Sequence, residues 1–156
     1  MSTSDFIGSL PSAVKRTFSV TRKIRFGQTD PAAIVYYPNY FDMFNEIVED
    51  WFAEELGAPF DQLHRVDGIG IPIVHIECDF IAPCRLGEQF TLSLSVVNLG
   101  PTSLHLQIAG TVAGDTRIKA SLVLVFVDLT TYRSVEPPDS LRSLILERVV
   151  DGAKKS

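Results

Sequence analysis

The sequence is poor in the residues that carry much of enzyme chemistry. It has two cysteines, three histidines and one tryptophan in 156 residues. His75 and Cys78 stand three apart in a strand-like run, so they point to opposite faces, and Cys84 follows Pro83 beyond that run. No fourth ligand has suitable spacing, so no metal is expected and the cysteines read as buried thiols. Cations are outnumbered, 14 Lys and Arg against 19 Asp and Glu, for a net charge of −5. Phosphate-backbone binding needs a basic field, so nucleic acid is not an expected partner. The longest apolar run, residues 122–127, has strand length and cannot cross a bilayer, so no membrane is expected either. Glycine-rich phosphate loops and the G-x-S-x-G nucleophile turn are missing. Nucleotide-dependent redox chemistry and ATP hydrolysis lose their usual signals, and no cofactor is expected. The N-terminus does not join a basic segment to a long apolar one. A signal peptide is therefore not expected, the expected address is the cytoplasm, and the thiols stay reduced there.

What the chain has in quantity is apolar residues, 46% of the total, enough to fill the core of one domain. Residues 1–16 read as a loose leader, 17–150 as a single domain and 151–156 as a frayed tail.

Period-2 alternation predicts a strand over residues 18–26, with Phe18, Val20, Ile24 and Phe26 inward and Arg22 breaking the apolar face. Residues 38–56 carry Phe41, Phe44, Val48, Trp51, Phe52 and Leu56 at spacings of three and four, the stripe of one long amphipathic helix. Pro38 suits its first position and Gly57 its end. Residues 57–70 read as turn-rich. Four strands follow, over 73–81, 90–97, 104–112 and 118–129, with a tight hairpin at 113–116 and a short helix over 139–149. The fold class is α+β, an antiparallel five-stranded sheet with one long helix on one face. One helix cannot cover five strands, so a homodimer is expected.

The stretch FGQTDPAAIVYYPNYF, residues 26–41, holds one acid in apolar and aromatic surroundings. Pro31 keeps Asp30 out of the helical region, and the helix begins one short loop later. A helix start offers unpaired N–H groups and partial positive charge. A carboxylate beside such donors suits acyl transfer, in which one group attacks or activates water and the others hold the oxyanion. By spacing alone, Asp30 reads first as a turn-forming Asp before Pro, the commoner role of such a residue. Tyr36, Tyr37 and Tyr40 either line a pocket or pack.

The run Phe26-Gly27-x-x-Asp30-Pro31-Ala32-x-Ile34-Val35-Tyr36-Tyr37-Pro38-Asn39-Tyr40 closely resembles the signature of the 4-hydroxybenzoyl-CoA thioesterase family. The resemblance implies a hotdog fold, in which a sheet wraps one central helix, and hydrolysis of an acyl-CoA or acyl-carrier thioester. It implies that Asp30 is the catalytic nucleophile or general base and that the backbone N–H of Tyr37 polarises the thioester carbonyl. Ala33 and Tyr36 would border the substrate. The segment Ile71-Pro72-Ile73-Val74-His75 resembles the strand that lines the acyl pocket from the dimer partner, which makes Pro72, Val74 and His75 substrate-binding candidates. Dimers, or dimers of dimers, are the implied assemblies.

Two features depart from the family pattern. Ala33 stands where Gly is usual, which is harmless only if its φ is negative. The turn at 98–103 lacks the basic cluster that some members use for CoA phosphates, leaving Arg85, Lys119 and Arg133 as other phosphate partners. The rival functions are a hotdog dehydratase or hydratase, which would need a catalytic His from His64, His75 and His105, and a non-catalytic acyl-binding module, which would not need Asp30.

Overall fold

The computed structural model describes residues 17–150; the expected leader and tail lie outside the described residues. Strand β1 (Thr17–Lys23) turns Phe18 and Val20 inward and Ser19 and Thr21 outward. Arg22, which broke the apolar face in the sequence, reaches Asp50 on the long helix at 2.6 Å. β1 stops short of the expected span because the chain enters a single 3-10 turn, Phe26–Gln28. Phe26 therefore leaves the expected inward face and stands 80% exposed.

Helix α1 (Pro38–Glu54) starts at Pro38 as expected, and Gly57 adopts φ 62° just beyond its end. Its buried residues are Tyr40, Met43, Phe44, Ile47, Val48, Trp51 and Phe52. This stripe is wider than the predicted one, because α1 is buried in the core rather than lying on the surface. Phe41 sits at its half-buried margin.

The segment expected to be turns contains a short helix α2 (Phe60–Arg65) and a two-residue strand β2 (Ile69–Gly70). α2 buries only Leu63, so it has too little periodicity to show in the sequence. Then come β3 (Ile73–Phe80), β4 (Gln89–Leu99), β5 (Ser103–Val112) and β6 (Asp115–Val125). The main sheet is fully antiparallel in the order β1-β4-β5-β6-β3. β6 starts before the expected residue 118 because Ala113 and Gly114, at φ 50° and 85°, form the turn and Val112 pairs with Asp115. The expected strand to 129 breaks at Phe126, whose N–H goes to Thr102 O at 2.8 Å, and β7 (Val127–Asp128) turns away to pair with β2.

The inner face of the sheet, including Leu92, Leu94, Leu104, Leu106, Ile118 and Leu122, shares one core with α1. Gly110 lies on this face; a Cβ there would stand 2.6 Å from Phe90 Cε1, so only glycine fits under that ring. Helix α3 (Asp139–Leu146) buries Leu141 and Ile145, and Val150 N–H bonds Val96 O at 3.0 Å, so the β4 region has more cover than one helix provides. The outer face is hydroxylated, with Ser19–Ser93 and Thr21–Thr91 contacts at 2.9 and 2.7 Å. β3 is an edge strand, paired only with β6 among the described residues.

Candidate active site

The loop between β1 and α1 closes on itself. Tyr36 N–H donates to Gln28 O at 3.0 Å, Asp30 N–H to Ile34 O at 2.9 Å and Ala33 N–H to Asp30 O at 2.9 Å. The Asn39 side chain, on the first turn of α1, donates to the same Gln28 carbonyl at 2.9 Å. Residues 84–86 then strap the loop down: Val35 N–H bonds Cys84 O and Leu86 N–H bonds Ala33 O, both at 2.9 Å. A connection that would otherwise be mobile is held by backbone bonds on both sides.

Within it, Asp30 is half-buried and uses its two oxygens differently. Oδ1 accepts the Ala32 N–H at 2.8 Å, with the Ile34 N–H a long second contact at 3.5 Å. Oδ2 accepts no hydrogen bond among the described residues. The turn-forming and the chemical readings of Asp30 are thus compatible. One oxygen fixes the carboxylate's orientation, and the other stays available.

Tyr37 is the residue before α1, at φ −53° and ψ −35°. Pro38 has no N–H, while Asn39 and Tyr40 donate to Tyr36 O and Tyr37 O at 2.9 and 3.1 Å. The Tyr37 backbone N–H donates to no acceptor among the described residues. It is the open donor at this helix start. Ala33 has φ 61°, so the condition for a harmless methyl is not met. A left-handed conformation costs a non-glycine residue roughly 1–2 kcal/mol, a strain stored in the loop that carries the carboxylate.

Aromatic surface surrounds this start of α1. Tyr36 and Tyr37 are more than half exposed and lie edge to face with centroids 5.6 Å apart. Tyr37 meets Phe80, at the end of β3, at 6.2 Å. Tyr40 is buried and meets Phe80 and Phe90 at 5.9 and 6.0 Å. Phe80 and Ile81 are themselves half exposed. So much open apolar area in one place marks a binding surface.

Beneath it lies a polar group that sequence reasoning missed. Cys84 is fully buried, and burial pushes its thiol up, so it rests as an unreactive thiol. Burial, and then the neighbouring Cys84, holds the Tyr40 hydroxyl well above the usual phenol range. Arg117 Nη1 donates to Pro83 O at 2.6 Å and to Glu88 Oε1 at 3.2 Å. The Arg85 N–H donates to the same Glu88 oxygen at 2.6 Å. That N–H, then Arg117, holds the Glu88 carboxyl below its ordinary range. Arg117 on β6 thus ties down the strap that holds the Asp30 loop. Arg117 and Glu88 are 29 residues apart, with no pattern in the sequence to link them.

The sequence candidates on β3 are not brought to Asp30 within the chain. Pro72, Val74 and His75 stand exposed at the start of β3, whereas the end of β3, at Phe80, meets Tyr37. His75 Nε2 lies 3.6 Å from Glu77 Oε1. A bulge between Ile73 and His75 interrupts the alternation of β3 and leaves Val74 58% exposed. The other histidines lie elsewhere: His64 Nδ1 is 3.0 Å from Phe60 O, and His105 pairs on β5 between Asn98 and Val123. Among the described residues no three His, Cys, Asp or Glu side chains are grouped to hold a metal, and no helix is long and apolar enough to cross a membrane.

Known proteins share this fold. A family model described as the thioesterase-like superfamily matches residues 24–145. The chain is 27% identical over 125 residues to a 1,4-dihydroxy-2-naphthoyl-CoA hydrolase of Nostoc punctiforme, across 80% of this chain and 84% of that protein. It superposes on a gentisyl-coenzyme A thioesterase with a TM-score of 0.74 at 27% identity, over 82% of this chain and 99% of the other. A 4-hydroxybenzoyl CoA thioesterase mutant complexed with 4-hydroxybenzoyl CoA gives a TM-score of 0.76 at 23% identity, over 83% and 99%. The fold is therefore the hotdog fold, and the chain belongs to the thioesterase-like superfamily, a family of thioester hydrolases.

Proposed function

We propose that the protein hydrolyses an acyl-CoA whose acyl group is a hydroxylated aromatic acid, releasing the free acid and coenzyme A. The observation that carries this is that one short loop holds both an Asp30 Oδ2 and a Tyr37 N–H without partners among the described residues, the second at the start of α1. The thioester oxygen accepts from the Tyr37 N–H, which stabilises the negative charge that develops on it. Asp30 then acts by one of two balanced routes. In one, Oδ2 takes a proton from water as the water oxygen adds to the carbonyl carbon; the C–S bond breaks and the thiolate leaves. In the other, Oδ2 adds to that carbon itself, the thiolate leaves, and water cleaves the acyl-aspartyl anhydride. Tyr36, Tyr37 and Phe80 offer aromatic faces to the acyl ring. The relatives named above act on dihydroxynaphthoyl, gentisyl and hydroxybenzoyl thioesters, all hydroxylated rings.

The active form is a homodimer built on the β3 edge. Antiparallel pairing of two β3 edges about a twofold axis sets the partner's start of β3 beside this chain's Phe80 end. The partner subunit's Pro72, the partner subunit's Val74 and the partner subunit's His75 then border the aromatic surface next to Asp30. This assigns the exposed β3 residues to the same pocket as the loop.

The test is thiol release, followed with a chromogenic reagent, over aromatic and aliphatic acyl-CoA and acyl-carrier thioesters. Turnover fastest with hydroxyaryl-CoA supports the proposal, and no cleavage of any thioester above background refutes it. Single turnover in ¹⁸O-water separates the routes: label enters the Asp30 carboxylate only through the anhydride.

A further inference from the structure

In this acidic protein four of the eight described arginines are already paired: Arg22 with Asp50, Arg117 with Glu88, Arg142 with Glu136 and Arg148 with Glu55. Lys23, Arg25 and Arg85 make no salt bridge among the described residues, yet the fold gathers them. Ile24, between Lys23 and Arg25, bonds residues 87 and 88: its N–H donates to Glu88 O at 2.8 Å, and its carbonyl accepts from Gly87 N–H at 2.9 Å. Arg85 lies two residues further along the same strap. Lys23, Ile24, Arg25, Phe26 and Leu86 line an open cleft of about 320 Å³ with no acid on its walls. Lys23 and Arg25 also border the adjoining hollow on the α1 side, but there Glu46, Glu49 and Asp50 share the walls, so the Phe26 side is the one favourable to an anion.

Phe26 and Leu86, 80% and 43% exposed, give this cleft apolar walls beside its cations. An aromatic face next to cations suits a purine carrying phosphates: the base stacks, and the charged side chains meet the phosphate oxygens. The cleft is continuous with the catalytic loop, because Leu86 on its wall bonds Ala33 O at 2.9 Å. The turn at 98–103, which carries no cation, cannot supply this charge.

We propose that the cleft between the end of β1 and Leu86 binds the phosphorylated adenosine of coenzyme A, with Lys23 and Arg25 on the phosphates and Phe26 against the adenine. This rests on the acyl-CoA reading above and adds to it the place where the nucleotide of the CoA is held. Over Leu86 and Ala33 the pantetheine arm would run to Asp30.

Two measurements test it. The first compares one acyl group carried on CoA and on N-acetylcysteamine, which has no nucleotide. In Lys23→Ala/Arg25→Ala the KM for the acyl-CoA rises at least about ten-fold with kcat held, as expected for lost charged hydrogen bonds, while kcat/KM for the N-acetylcysteamine thioester holds. An unchanged acyl-CoA KM overturns the proposal, as does an equal loss on both substrates, which would mean a disturbed loop. The second is calorimetric titration with adenosine 3′,5′-bisphosphate, readable whether or not any thioester is cleaved. Binding to the wild type, weakened in the double variant and in Phe26→Ala, supports the site. No binding, or binding indifferent to these changes, refutes it without touching the thioesterase reading. Titration with dephospho-CoA assigns the cations: affinity well below that for CoA places them on the 3′-phosphate, and equal affinity places them on the diphosphate. If the double variant instead loses only acyl-carrier turnover, the patch serves an acidic protein and the proposal falls.

Discussion

Two stretches stand out in the sequence, residues 26–40 and the start of β3, and the fold treats them in opposite ways. The first is finished within one chain: its hydrogen bonds close through Gln28, the strap at 84–86 and the first turn of α1. The second lies on an open edge, with Val74 and His75 facing outward and a row of backbone groups unpaired by any described strand. On the proposed reading the chemistry is preorganised inside the chain, while the exposed start of β3 waits for a second copy. Breaking the closed half should abolish turnover without dissociation; breaking the open half should dissociate the protein and take turnover with it.

The largest effect is expected from Asp30→Asn. An Asn oxygen still accepts the Ala32 N–H, so the turn survives, but its other terminus neither attacks nor takes a proton. Loss of an essential base or nucleophile should lower kcat by about 10³-fold or more, with the melting temperature nearly unchanged. Intact turnover would return Asp30 to a purely turn-forming role.

Next comes Val74→Glu, which faces the open edge with charge. Across a twofold axis each new carboxylate would stand against the apolar Phe80 end of the other β3, and association should weaken by at least about ten-fold, some 1.4 kcal/mol. Light scattering gives the oligomeric state, and activity should fall in step with the dimer fraction. A wild type that is monomeric and fully active would sink the shared-pocket reading.

These two cases also mark what the sequence could tell. Alternation and the three-four spacing located β1, α1 and the four long strands to within a few residues, because each buries one continuous face. They misplaced Phe26, whose inward parity held until the chain turned into the 3-10 segment. Asp30 and Tyr37 were legible because the loop motif is local and long. Cys84, Glu88 and Arg117 were not, because their association depends on strands far apart in sequence lying side by side. The same holds for the unpaired cations around Ile24, visible only once their neighbours are known to be spoken for.

Glu88 tests how far the strap stiffens the closed half. Its carboxyl titrates below the ordinary range in the folded chain, chiefly through the Arg85 N–H and then through Arg117. A depressed folded pKa contributes stability that is full above the ordinary Glu range and is lost as pH falls through the depressed value. Glu88→Gln should therefore flatten the acid limb of the Tm-against-pH curve. Arg117→Met should flatten it less, because the larger cause remains, while costing about 1–3 kcal/mol at neutral pH through the unpaired carboxylate and the lost bond to Pro83. An acid limb indifferent to Glu88→Gln would show that the strap's ion pair does not matter for stability.

The smallest effect probes strain at the heart of the closed half. Ala33 holds φ 61° beside the carboxylate, and its carbonyl is tied to Leu86 N–H. Ala33→Gly relieves a left-handed penalty of roughly 1–2 kcal/mol but adds unfolded-chain entropy of roughly 0.5–1 kcal/mol. The balance favours glycine by up to about 1 kcal/mol, a rise of roughly 1–3 °C in Tm for a chain of this size. Because the backbone bonds to Asp30 and Leu86 do not involve the methyl, kcat should stay within about two-fold, too small a change to alter the barrier by more than ~0.5 kcal/mol. A fall in Tm would mean that the methyl makes a stabilising contact that outweighs the strain of its left-handed backbone.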